Sequence, residues 1–128
     1  MKAEAAEHLE RAQELLRASK AMLDIELPSD AINRSYYAMF HAAKAILTEM
    51  GVVRSSHRGV IAAFGQYVVK HGHMQPRFHA SLRRAFNARV ESDYLARPED
   101  TMADAAAFLR RAREFLAAAR TYLERSDD

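Results

Sequence analysis

Apolar residues recur at three- and four-residue steps along nearly the whole chain, and they divide it into amphipathic helices. The first is predicted from about Ala3 to Asp24, with Leu9, Ala12, Leu16 and Leu23 on one side and Ser19 as a small polar break. Pro28 cannot continue it, so Ile25 to Ser29 reads as a connection. A second helix is predicted from Asp30 to Thr48, capped by Ser29 or Asp30 and stopped by Gly51. Its stripe is Ile32, Tyr36, Phe40, Ala43, Leu47 and Met50. A third, from about Ser56 to Lys70, uses Val60, Ile61, Phe64, Val68 and Val69; its valines suit a strand, but their spacing is helical. The fourth starts at Pro76 and runs to about Tyr94 through Phe78, Leu82, Phe86 and Val90. After a turn at 96–100, Asp100 or Thr101 caps a last helix with the stripe Phe108, Ala112, Phe115, Ala119 and Tyr122, and the tail from Arg125 is expected to fray. Short connections between such helices predict an all-α fold, an antiparallel four- to five-helix bundle forming one domain over 1–128 with its core at about 3–124.

Composition narrows this picture. With no cysteine, the 128 residues hold neither a disulfide framework nor a cysteine zinc site. The first residues are charged and lack an apolar leader core, and no run approaches a membrane span, so a cytoplasmic chain with no membrane contact is expected. The net charge of +2 is unevenly placed. Between Met50 and Val90 there is no Asp or Glu, yet Arg54, Arg58, Lys70, Arg77, Arg83, Arg84 and Arg89 all fall there. Such a block suits nucleic acid, phosphorylated ligands or an acidic protein, unless its arginines pair with carboxylates of the terminal helices.

The candidate chemistry lies on the second helix. Arg34 and His41 are seven residues apart, about 20° from each other around the axis, and roughly opposite the apolar stripe. Small Ala38 and Ala45 beside them would let another backbone approach closely. An imidazole can take or give a proton near neutral pH, and a guanidinium can hold a phosphodiester and the charge building on it. Asn33 and Ser35 add polar groups, Tyr37 could stack on a base, and Arg83 and Arg84 could track a phosphate backbone. A ribose 2′-OH nucleophile would need no metal. The alternatives are that Arg34 and His41 pair with carboxylates or bridge a dimer interface. His71, His73 and His79 suggest a metal, but their cationic surroundings and missing further ligands favour a solvated loop. Arg89 could pair with Asp93 one turn on. No Gly-rich phosphate loop, Ser-His-Asp layout or nucleotidyltransferase-like carboxylate pair is present.

The segment Ala31 to Leu47, with Ser56 to Gly65 and Ala88 to Tyr94 after it, resembles the small prokaryotic HEPN-domain proteins over about residues 5 to 122. The resemblance implies a dimerising helical bundle. Its motif, an Arg, a polar follower and then a His, maps onto Arg34, Ser35 and His41. In active members two protomers bring these residues together in a cleft and cut RNA without metal or other cofactor. Many are toxins held by a minimal nucleotidyltransferase antitoxin. Others only bind nucleotides or partners, which is the alternative function here. The tyrosine that some antitoxins modify, two residues after the His, is Ala43 in this chain.

Overall fold

A computed structural model describes residues 1–96 and 98–126. Among these residues the chain is helical throughout, with no strand: α1 (Ala3–Asp24), α2 (Pro28–Met50), α3 (His57–Ala63) leading into a π-helical segment (Phe64–Val69), α4 (Pro76–Tyr94) and α5 (Met102–Ser126). None of these helices is long and apolar enough to cross a membrane.

The chain is organised around α2, which every other helix touches. Twelve of its residues are buried, Ala31, Ile32, Tyr36, Met39, Phe40 and Ile46 among them. Its first turn begins at Pro28, two residues before the expected start. Proline is pre-set for that turn and lacks the N–H that would go unpaired there. Neither Ser29 nor Asp30 caps it. Ser29 instead donates its hydroxyl to Asp100 at 2.8 Å, tying the start of α2 to the approach of α5; Ser92 of α4 donates to the same carboxylate at 2.9 Å. At the other end Gly51 takes φ 76°, and Val52 N–H returns to the Leu47 carbonyl at 2.8 Å, the left-handed stop expected of glycine.

α1 runs antiparallel to α2, as contacts of Ser19 with Ser35, His8 with His41 and Lys2 with Thr48 and Glu49 require. The break in the α1 stripe has a use. Ser19 is fully buried, and its hydroxyl lies 2.8 Å from both the Ala31 carbonyl and the Ser35 hydroxyl. Ala38 and Ala45 lie on the α2 wheel between Ser35 and His41, both of which touch α1, and they are fully buried. The close approach expected from these small residues is therefore made by α1 of the same chain. A second chain does not need that space.

The expected third helix changes pitch. After Ser56 caps it by accepting from Gly59 N–H at 2.9 Å, α-helix gives way at Phe64 to the wider turn. Gly65 faces the His79 ring there, and a Cβ at Gly65 would lie 2.9 Å from its Nε2. That same Nε2 donates to the Ile61 carbonyl at 3.1 Å. Thr101 caps α5, accepting from Asp104 N–H at 3.0 Å while Asp104 accepts from Thr101 N–H at 3.3 Å, a reciprocal box. The helix includes Arg125, where fraying was expected; Asp127 and Asp128 of that tail lie outside the described residues, as does Arg97 of the preceding turn.

Candidate functional site

Because α1 covers one flank of α2 and α3 and α4 the other, only a narrow sector of α2 reaches solvent. Asp30, Asn33, Arg34, Tyr37, His41, Lys44 and Thr48 are its residues, each three or four after the last or beside it. On a helical wheel they span about 100°. The pattern of burial thus brings Asn33, Arg34, Tyr37 and His41 into one line, with Tyr37 between the guanidinium and the imidazole. Arg34 is exposed and has no hydrogen bond or ion pair among the described residues. Tyr36 points the other way and is fully buried.

Ser35 departs from expectation. It was expected to orient a ligand beside Arg34, but it is fully buried against α1 with its hydroxyl held by Ser19. One residue along a helix is about 100° of rotation, enough to turn it from the open sector into the α1 interface. Arg83 and Arg84 stand on the outer side of α4. Arg83 lines a groove of about 350 Å³ with Arg58, Ile61, His79, Phe86 and Asn87. Arg84 is turned about 140° around α4 from Arg89, whose guanidinium lies over the Tyr37 ring at 5.4 Å, so it faces away from the α2 sector. Arg89 also pairs with Asp93, at 3.6 Å. His71 and His73 are neighbours, with ring centroids 6.3 Å apart, whereas His79 is committed to Ile61.

Two further residues join the site from other helices, beside Lys44 of α2. His8 of α1 places Nδ1 2.9 Å from Nδ1 of His41. His57, in the first turn of α3, shares a 2.6 Å hydrogen bond between its Nδ1 and the Tyr36 hydroxyl and stacks on Phe40 with centroids 4.5 Å apart. Lys44 extends over Phe40. Spacing on α2 gives no sign of His8 or His57. Counting outward in equal steps from the short α1–α2 connection would bring His8 within a turn of His41, and that register is the one signal available. For His57 no local signal exists.

The electrostatics follow from this crowding. Burial lowers the His41 pKa to about 4, and the facing groups His8, Arg11, Lys44 and His57 add to the shift. His8 is lowered by burial and Lys44, against opposition from Glu4 and Glu7. His57 is lowered by burial, Arg89 and Lys44. Burial raises the Tyr36 phenol far above its ordinary value, so it keeps its proton beside His57. At neutral pH His41 is neutral, and His8 and His57 are shifted towards the same form. Among the described residues only Arg89 Nε is a buried side-chain polar atom without a partner. The Nε2 atoms of His8, His41 and His57 make no hydrogen bond among the described residues and are not among the buried unpartnered atoms. Each ring is anchored through Nδ1 and free at Nε2.

A helical bundle with an exposed Arg and a half-buried His along its central helix is the class defined so far. The HEPN domain profile matches residues 5–125, and the chain belongs to the HEPN domain family. It is 37% identical over 86 residues to "Putative toxin MJ0605" of Methanocaldococcus jannaschii, covering 67% of this chain and 64% of that protein, a little under two thirds of its length. It is 33% identical over 117 residues to UPF0332 protein glr0978 of Gloeobacter violaceus, covering 85% of this chain and 93% of that one. A UPF0332 protein of Thermotoga maritima is 34% identical over 114 residues, covering 89% and 86%.

Proposed function

We propose that this chain is a metal-independent endoribonuclease, the toxin of a pair whose antitoxin is a minimal nucleotidyltransferase, and that it works as a homodimer sharing the α2 sector. The observation that carries the reading is the unpaired, exposed Arg34 in line with Tyr37 and a half-buried His41 on a helix otherwise enclosed. The family membership and the toxin names of two M. jannaschii relatives support it. In this reading Arg34 binds the scissile phosphate, Asn33 and Tyr37 position the nucleotide, and neutral His41 takes the proton of the ribose 2′-OH through Nε2. The basic outer face of α4, with Arg83 and Arg84, gathers RNA.

RNA cleavage in EDTA by wild type, His41→Ala and Arg34→Ala tests this. Cutting by wild type and a loss of at least about a hundredfold in each variant, with helicity and oligomeric state unchanged, is expected. Cutting that persists in both variants would sink the assignment. A second reading, a non-catalytic module that binds a nucleotide or the partner through the same sector, draws on the low basicity of His41. It expects a stable complex and an uncut RNA.

A further inference from the structure

The His41 ring is held from α1. Its Nδ1 meets Nδ1 of His8 at 2.9 Å, and the two rings stack with centroids 5.2 Å apart and 30° between planes. A hydrogen bond between two nitrogens needs one proton, so one ring donates and the other accepts. The consequence appears on the far side of the ring. If His41 donates from Nδ1, its Nε2 carries a bare lone pair; if it accepts there, Nε2 carries the hydrogen and cannot act as a base.

We propose that His8 is a positioning residue for His41: its Nδ1 accepts the Nδ1–H of His41 and so leaves Nε2 of His41 as an unprotonated base in the open sector. The inference rests on the ribonuclease reading and adds a second imidazole to it. The two helices fix the pair from both sides along the hairpin, through Ser19 with Ser35 towards the turn and Lys2 with Glu49 towards the open end. As the 2′-oxygen bonds to phosphorus, its proton passes to Nε2 of His41. The bond from phosphorus to the 5′-oxygen breaks, and that oxygen takes a proton from water. The hydroxide then removes the proton gained by the pair, leaving a 2′,3′-cyclic phosphate and a 5′-hydroxyl.

The charges around the pair favour this direction. The groups facing His41 are Arg11 and His8 from α1, Lys44 on α2 and His57 from α3, with no carboxylate among them. His8 is faced by Lys44 but also by Glu4 and Glu7, which favour a positive ring there. A proton arriving at His41 therefore displaces charge along the Nδ1–H···Nδ1 bond towards His8, the ring of the two that has Glu4 and Glu7 near it. The arrangement assigns to His8 the role an aspartate takes behind a catalytic histidine.

Three variants and one spectrum test the inference: His8→Ala, His8→Asn and His8→Asp, each with the cleavage rate against pH and the His41 tautomer read from its ¹⁵N resonances. His8→Ala is expected to lower kcat roughly tenfold or more with KM little changed. His8→Asn, whose amide oxygen can accept at the same place, should recover most of the loss. His8→Asp should retain cutting with the acidic limb moved to higher pH, since a carboxylate favours the imidazolium. In wild type Nδ1 of His41 should be the protonated nitrogen. A His8→Ala enzyme with wild-type kcat, an Asn variant no better than Ala, or a proton on Nε2 of His41 in the free protein would each overturn the proposal. Failure of wild type to cut RNA would refute the ribonuclease reading instead, and the tautomer would still decide the place of the proton between the two rings.

Discussion

His41 is neutral at physiological pH because the fold sets desolvation and several positive neighbours against its charged form. That choice has a consequence for stability. The folded pKa, about 4, lies below the unfolded value near 6.5, so between these two the unfolded chain binds more protons than the folded one. The contribution is fully present above about pH 6.5 and is lost as pH falls through the folded value. His8 and His57 are shifted in the same direction, so their effects reinforce it. Urea denaturation from pH 8 to pH 4.5 should therefore show a falling midpoint, and His41→Asn should flatten part of that fall. A midpoint equally pH-dependent in the variant would show that the loss comes from elsewhere. At this scale the sequence was informative only in part. Spacing alone put Arg34 and His41 on one line away from the core, because that line depends on a single helix. Ser35 was misplaced because one step around the same helix carries it under α1, whose packing site no local pattern records. His8 and His57 come from helices whose register against α2 is a tertiary property.

The α1–α2 hairpin is the element on which the site depends, and its turn contains a local conflict. Glu26 adopts φ 60°, a left-handed conformation that costs a residue with a Cβ roughly 1–2 kcal/mol. The turn requires it: Leu27 N–H returns to the Met22 carbonyl at 2.8 Å and Glu26 N–H to Leu23 at 3.0 Å, closing the end of α1 within three residues. Glu26 is exposed and forms no ion pair among the described residues, so its side chain offers little in compensation. Glu26→Gly is expected to raise stability by roughly 0.5–1 kcal/mol, after the glycine's greater freedom in the unfolded chain is set against the relieved strain. Chemical denaturation at neutral pH reads this directly, and a destabilised variant would mean that the side chain does more than the turn geometry indicates. The helix boundaries themselves were largely legible, since Pro28, Gly51, Pro76 and the Thr101–Asp104 box are local signals. The change of pitch at Phe64 was not. It accommodates His79 over Gly65, and a ring arriving from α4 leaves no mark on the periodicity of α3.

Across the molecule, folding sorts the carboxylate-free middle segment into two kinds of arginine. Arg77 is held by Glu114 of α5 at 2.9 Å, and Arg89 by Asp93 while it covers Tyr37. Arg54 and Arg58 lie over the rings of Tyr67 and Phe86. Arg83 and Arg84 have no carboxylate partner among the described residues and point outward from α4, so they are the cations best placed to meet a polyanion. If they bind RNA phosphates, each phosphate they neutralise releases counterions and steepens the fall of affinity with salt by about 0.7 in a log–log plot for a single strand. Binding should be measured with His41→Ala, so that RNA is not consumed, over a range of salt concentrations. Adding Arg83→Ala with Arg84→Ala is then expected to weaken binding at low salt and to lower the slope by about 0.7 for each phosphate no longer neutralised, with the two binding curves converging at high salt. Arg77→Ala serves as the comparator, because it removes one positive charge whose side chain is already committed to Glu114. A per-residue weakening no greater than that of Arg77→Ala would mean that overall charge draws RNA in and that α4 offers no track for its backbone.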